Sequence, residues 1–360
     1  MGVAYGPELL ERLSTDVVGR RRELEVLVAA LAAGRHVLLE GPPGTGKSTV
    51  LRAIAEATER GFEFVEGNAE LTPARLTGSF DPAATLAEGY VASSFVDGPL
   101  ITAMRDGSML YVEEINRIPE ETLNVLITVM SEGELHVPRL GRVAAEDGFR
   151  LVAAMNPFDA VGTARIASAV YDRVCRLAMG YQSHDDEVRI VWRTAPLAAA
   201  AIGSHGVDAV VATVRDSRDH PEVRTGSSVR GAIDLVLVAH ELASLRELPT
   251  LEPSVSLDAA LLALSGRIRL REGSPRSPED VVRELWERHL VYAIAFGCAD
   301  DILASVRPTA SVDDGIQHVS PLAGLGAVAF HEFTSDIGAR AAEPSSSGSD
   351  GGGSFGGGGA

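Results

Sequence analysis

The chain has 360 residues, 45% of them hydrophobic, and a formal charge of −18. That length is enough for two domains, and that charge disfavours general affinity for nucleic acid or an anionic membrane, which needs clustered Lys and Arg. No apolar run is long enough to cross a bilayer, no secretory signal is visible, and two distant cysteines, Cys175 and Cys298, speak against a disulfide scaffold and for a reducing cytoplasm.

A lead-in helix is expected over residues 1–15. A second runs from Arg21 to Ala33, with Leu24, Leu27, Val28 and Leu31 on one face. Val37-Leu38-Leu39 reads as a short buried strand. Gly41-Pro42-Pro43-Gly44-Thr45-Gly46-Lys47-Ser48 then fits the phosphate-loop pattern G-x-x-x-x-G-K-[ST] in full, and the run from Val50 to Ala57 reads as the helix that follows. Glycines let the backbone curl so that several N–H groups point at one phosphate. The helix N-terminus adds a favourable dipole. Lys47 is expected at the β- and γ-phosphates and the Ser48 hydroxyl on magnesium.

Phe62 to Val65 reads as the next strand, and Leu71 to Gly78 as a short helix closed by glycine. Phe80 to Val96 is too long for an ordinary connection and reads as an inserted loop, hairpin or broken helix with a functional role. Gly107 to Glu114 is an apolar strand ending in two acids. Glu113 is expected in the magnesium shell, and Glu114 as the general base that activates water. Glu120 to Ser131 is an amphipathic helix, and Leu135 to Phe149 a hairpin. Leu151 to Met155 is another buried strand. It ends at Asn156, which is placed to orient the same water. Tyr171-Asp172-Arg173 follows, and Leu177 to Tyr181 reads as the last strand of this part.

From about Asp185 the chain turns helical, with helices expected at 185–197, 206–215, 228–245, 256–269 and 278–299. His184-Asp185-Asp186-Glu187 reads as a solvated helix start rather than a metal cluster. No zinc-type spacing occurs. Strands alternating with helices and then a run of helices predict a parallel α/β domain plus an all-α domain. The boundaries are 1–183, with an insert at 80–98 and a hairpin at 135–149, then 184–300. A C-terminal extension at 301–340 and a disordered Gly/Ser tail at 341–360 complete the plan.

Taken together these segments resemble the AAA+ superfamily, and within it the MoxR branch. The resemblance covers about residues 14–297. It rests on Val17-Val18-Gly19-Arg20, the phosphate loop, Glu113-Glu114-Ile115-Asn116-Arg117, Ala154-Met155-Asn156-Pro157, Tyr171-Asp172-Arg173 and Gly226-Ser227-Ser228-Val229-Arg230. It implies an ATPase in a hexameric ring of like subunits, with an αβα core and a helical lid, ATP and Mg2+ as ligands, and inserts facing a substrate or partner. Asn156 matches sensor 1, Arg230 the sensor 2 arginine, and Arg173 an arginine finger reaching the neighbouring subunit's site. Asn68 matches a polar switch on Glu114, and Asn116 and Arg117 an interface segment. Val18 and Gly19 fall where the family packs adenine, and Pro43, Gly44, Thr45, Gly46, Lys47, Ser48 and Thr49 where it holds phosphate. Glu113 departs from the family's usual Asp, which lengthens the reach to the metal's waters and keeps the charge. The resemblance further implies a von Willebrand factor A-domain partner and a client protein to be remodelled or matured. Gas-vesicle and cofactor-insertion activators share these motifs. A P-loop small-molecule kinase is the reading from another class, as is an assembly module that binds ATP and barely hydrolyses it.

Overall fold

The computed structural model describes residues 5–157 and 168–289. Helices α1 (Pro7–Asp16) and α2 (Arg21–Ala32) open it, with Leu9, Leu13, Leu24, Leu27 and Leu31 buried. Strand β1 (His36–Glu40) leads into the glycine loop. Helix α3 (Lys47–Ala57) starts at Lys47 rather than Val50, because Gly46, at φ +84°, turns the chain into the helix at once. Strand β2 (Phe62–Glu66) and α4 (Pro73–Thr77) follow.

The expected insert is a small αβ excursion made of β3 (Gly78–Phe80), α5 (Pro82–Glu88) and β4 (Phe95–Asp97). The two strands pair antiparallel, with Phe80 opposite Phe95. Asp81 caps α5 by accepting from the Ala84 N–H at 2.7 Å. Helix α6 (Pro99–Asp106) was not foreseen. Its signals were present: Pro99 in the first turn, Gly107 at the end, and Leu100, Ile101 and Met104 inward.

Strand β5 (Met109–Glu113), α7 (Glu120–Glu132), and the hairpin of β6 (Glu134–Val137) and β7 (Gly141–Ala144) come next. Then follow β8 (Arg150–Met155), the single turn α8 (Ser168–Tyr171) and β9 (Val174–Ala178). Strand β9 begins at Val174, opposite His36, and not at Leu177. Arg176 interrupts the apolar stretch of this edge strand, on which Cys175 and Arg176 are exposed, so its first residues were not marked.

Five strands form one parallel sheet in the order β2-β5-β8-β1-β9. Side chains alternate between its faces. Leu38, Leu110, Val112, Leu151 and Ala153 join the core under α4, α6 and α7. Val37, Leu39, Met109, Tyr111, Val152 and Ala154 join the core under α1, α2 and α3. A sheet covered on both faces makes its strands near-continuous apolar runs, which is why β1, β5 and β8 were legible.

The remaining described chain is helical: α9 (His184–Thr194), α10 (Pro196–Ile202) and α11 (Ser204–Asp219), then β10 (Val223–Thr225), α12 (Val229–Arg246), α13 (Pro253–Leu264), β11 (Arg269–Leu270) and α14 over residues 278–289. The short β10–β11 ribbon and α10 were not anticipated. These helices share a core that includes Val210, Val214, Leu235, Val236 and Leu285. The α9 start is only partly solvated. Ser183 caps it, but Glu187 is buried and paired with Arg215 at 3.2 Å and Arg218 at 2.8 Å. Among the described residues no group of acids, histidines and cysteines could hold a metal. No single described helix is long and apolar enough to cross a membrane. The expectations for residues 301–340 and 341–360, for Cys298, and for the end of the 278–299 helix lie outside the described residues.

Candidate nucleotide site

The carboxyl ends of β1, β5 and β8 converge, and three expected groups stand there: the glycine loop, the Glu113-Glu114 pair and Asn156. The Gly41 N–H donates to the Met155 carbonyl at 3.2 Å, which sets Asn156 next to the loop's first residue. Gly44 and Gly46 both stand at positive φ. Thr45 turns inward and its hydroxyl donates to the Pro42 carbonyl at 3.0 Å. Lys47 is buried, and its ammonium donates to the carbonyls of Gly41 at 2.8 Å and Pro42 at 3.0 Å. Burial lowers its pKa, against the pull of Glu113 and Glu114.

Ser48 Oγ sits 3.4 Å from Glu113 Oε1 and 3.2 Å from the hydroxyl of Tyr111. Burial holds that phenol neutral, with its pKa pushed up. Glu114, at φ +52°, turns away from the strand line, and Arg117 Nε lies 3.4 Å from its Oε2. Asn116 is buried within its own chain. Asn68 is occupied in its own turn, donating to the Glu66 carbonyl and accepting from the Glu70 N–H at 2.9 Å.

Beside the loop lies a cavity of about 430 Å³. Val17, Val18, Val50, Ile190, Val229 and Ile233 give it apolar walls, and Gly44, Gly46, Thr49, Gln182 and Arg230 line it as well. Residues from three stretches of chain therefore meet: the opening turn, the glycine loop, and the helical part through α9 and α12. Val18, Gly44, Gly46, Thr49 and Arg230 all line this cavity. Pro43 stands exposed at the loop tip, and Gly19 does not line the cavity. Gly19 serves the turn: it stands at φ +68° with the Asp186 side chain against it.

Arg173 is apart from this group. Its side chain is hydrogen-bonded to Ser131 Oγ and to the Ala169 carbonyl. It makes no ion pair with Asp172.

Three residues were missed. Arg20 is buried and donates to the carbonyls of Thr45 at 2.9 Å and Gly180 at 2.6 Å, and to Glu23 at 3.0 Å. Tyr111 is the second. Gln182 is the third: it is buried, lines the cavity, and its Oε1 has no hydrogen-bond partner among the described residues. Only Arg20 had a signal, its place beside Val17-Val18-Gly19.

A parallel sheet with a glycine loop at its switch point, an apolar cavity beside it and oxygen donors opposite defines a P-loop nucleotide-binding protein. Residues 36–174 match the AAA domain of the dynein-related subfamily. The chain's relatives include YeaC of Bacillus subtilis, 28% identical over 66% of this chain and 78% of that protein. They also include the gas vesicle ATPase GvpN2 of Halobacterium salinarum, 28% identical over 63% of this chain and 69% of that one. Among solved structures, a RuvB variant of Thermotoga maritima aligns with 69% of this chain and 71% of its own at a TM-score of 0.46 and 19% identity.

Proposed function

We propose that this protein is a MoxR-type AAA+ ATPase of the cytoplasm. It hydrolyses ATP at the interfaces of a hexameric ring and uses the cycle to remodel or mature a client protein, together with a von Willebrand factor A-domain partner. Residues 1–183 form its nucleotide-binding domain and 184–300 its lid. The observation that carries this reading is the shared cavity. A nucleotide there touches the glycine loop and, through Val229, Arg230 and Ile233, the first turn of α12. Occupancy is thereby felt by the helical part.

The residues fit the ligands. The cradle at Gly44 has no room for a side chain, and Gln182, whose buried Oε1 has no hydrogen-bond partner among the described residues, lines a cavity with apolar walls suited to a purine. Ser48 and Glu113 offer hard oxygen donors, which suit Mg2+. Bound there, Mg2+ supplies charge neutralisation on the phosphates. Lys47 exchanges its two loop carbonyls for phosphate oxygens. Glu114 takes a proton from the attacking water, and Asn156 orients that water. Arg230 closes on the γ-phosphate from the lid. Arg173 leaves Ser131 and reaches the neighbouring subunit, where such a finger is worth about a thousandfold or more.

The test is ATP hydrolysis per subunit against protein concentration, for the wild type and Arg173→Ala. A rate that rises with concentration, and a variant that binds ATP but does not hydrolyse it, uphold a site shared between subunits. A flat rate with an unimpaired variant favours a self-contained site, as in a P-loop kinase. A second reading, a gas vesicle ATPase, is favoured by the similarity to GvpN2 over 63% of the chain. The client distinguishes the two.

A further inference from the structure

Glu40 has no part in the chemistry above, yet its side chain is 4% exposed. A buried carboxylate is costly unless it is paired and hydrogen-bonded, and the pairing here is specific. Tyr171 donates its hydroxyl to Oε1 at 2.9 Å, and Arg176 pairs with Oε2. Glu40 is the last residue of β1, directly before Gly41, so it is continuous with the glycine loop. Its own carbonyl accepts from the Met179 N–H at 2.7 Å. It cannot shift without moving either the sheet or the loop.

Tyr171 is equally well placed at the other end. It closes α8, a single turn too short to hold itself. Arg173 follows two residues later. The Arg173 N–H donates to the Val170 carbonyl at 3.0 Å and the Asp172 N–H to Ser168, so Tyr171, Asp172 and Arg173 form one tight turn. Val170 is buried, but the Tyr171 ring is partly exposed. The hydroxyl on Glu40 is therefore the polar contact that ties this turn to the base of the glycine loop, as the Arg173 side chain ties it to Ser131.

We propose that Glu40 is a positioning residue. It tethers Tyr171 to the base of the glycine loop and so sets where Arg173 stands when it is offered to the neighbouring subunit. The inference rests on the reading of Arg173 as a finger acting in trans, and it deepens that reading. The loop that holds a subunit's own nucleotide and the finger it extends are joined by one buried carboxylate.

The experiment is subunit complementation in the full-length chain. Arg173→Ala subunits keep a complete site and lack the finger. Glu114→Gln subunits keep the finger and lack the base. Mixing the two is expected to restore hydrolysis. Adding Tyr171→Phe to the Glu114→Gln donor removes only the hydroxyl, and is expected to lower the restored rate about ten- to a hundredfold. The donor's ATP affinity, its thermal midpoint and its assembly with the acceptor should change little. In the same donor Glu40→Gln, which keeps an acceptor for Tyr171, should preserve most of the rescue. Should the Tyr171→Phe donor not assemble, Glu40→Met makes the same comparison, since Arg176 is 58% exposed and tolerates loss of its partner. Equal rescue by donors with and without the Tyr171 hydroxyl overturns the proposal and leaves the finger standing. No rescue even by the plain Glu114→Gln donor overturns the finger reading, and this proposal with it.

Discussion

The guanidinium of Arg20 donates to the Thr45 carbonyl at 2.9 Å, tying the chain's opening turn to the middle of the glycine loop. The same nitrogen reaches the Gly180 carbonyl at 2.6 Å, just past β9. One buried side chain thus holds three segments that are remote in sequence. Arg20→Ala should cost about 1–3 kcal/mol, because it leaves the buried Thr45 carbonyl, the Gly180 carbonyl and Glu23 without this donor. It should also weaken nucleotide binding by loosening the loop. Arg20→Lys should recover only part, since an ammonium lacks the planar fork. Urea unfolding and titration with a fluorescent ATP analogue check both. An Arg20→Ala protein as stable as the wild type would sink the argument.

Ser48 and Glu113 face each other across 3.4 Å, in position to share a divalent ion. Glu113→Gln keeps the shape and removes the charge. The hydrolysis rate is expected to fall about 10–100-fold, the usual scale for groups that order a metal's shell. The Mg2+ concentration needed for half-maximal rate should rise. Rate profiles against free Mg2+ for the two proteins decide it. Unchanged profiles would remove Glu113 from the metal's surroundings.

The buried strands, the loop and the acids at the strand end were legible because their signals are local. An apolar run, a glycine spacing and a charge at the end of a strand are visible in a few consecutive residues. Arg20, Glu40 and Gln182 were not. Glu40 and Gln182 have an ordinary local context, and Arg20 had only its place beside Val17-Val18-Gly19; the role of each depends on partners remote in sequence. Arg20 meets Gly180, and Glu40 meets Tyr171. The same logic explains β9, an edge strand whose short apolar stretch Arg176 interrupts and whose pairing with β1 fixes its start at Val174. Glu187 looked like a solvated helix start. The two arginines that pair with it come from α11, which no local pattern could announce.

His36 supplies a pH dependence of stability. Its Nδ1 accepts from the Leu151 N–H at 2.9 Å, which requires a neutral ring. Burial, with Arg150 and Arg35 nearby, lowers its pKa from 6.5 to about 4. The sign follows from linkage. Below pH 6.5 the unfolded chain takes up a proton that the folded chain resists. This contribution to stability is therefore complete above 6.5, falls as the pH drops, and levels off below about 4. His36→Asn places an uncharged acceptor near the Nδ1 position and should flatten that part of the curve. Urea midpoints measured for both proteins between about pH 7.5 and 4.5 would show the difference. Parallel curves would assign the acid sensitivity to carboxylates instead.

Gly44 is where the loop meets the lid. It stands at φ +76°, and a Cβ there would lie 2.5 Å from Ser228 Cβ and collide with its hydroxyl. Ser228 is the N-cap residue of α12, one position before Val229, which lines the cavity. Gly44→Ala should therefore weaken nucleotide binding for two separable reasons. One is backbone strain of about 1–2 kcal/mol at a left-handed position. The other is that α12 is pushed off the loop. Ser228→Gly removes both atoms of the clash, and glycine is tolerated as a helix cap at a cost of only about a few tenths of a kcal/mol. The double variant should thus bind a fluorescent ATP analogue more tightly than Gly44→Ala alone, and less tightly than wild type because the strain remains. Four titrations make a double-mutant cycle. Strict additivity would mean that the loop and the α12 cap do not touch in solution, and the cavity would lose the wall that links the nucleotide to the helical part.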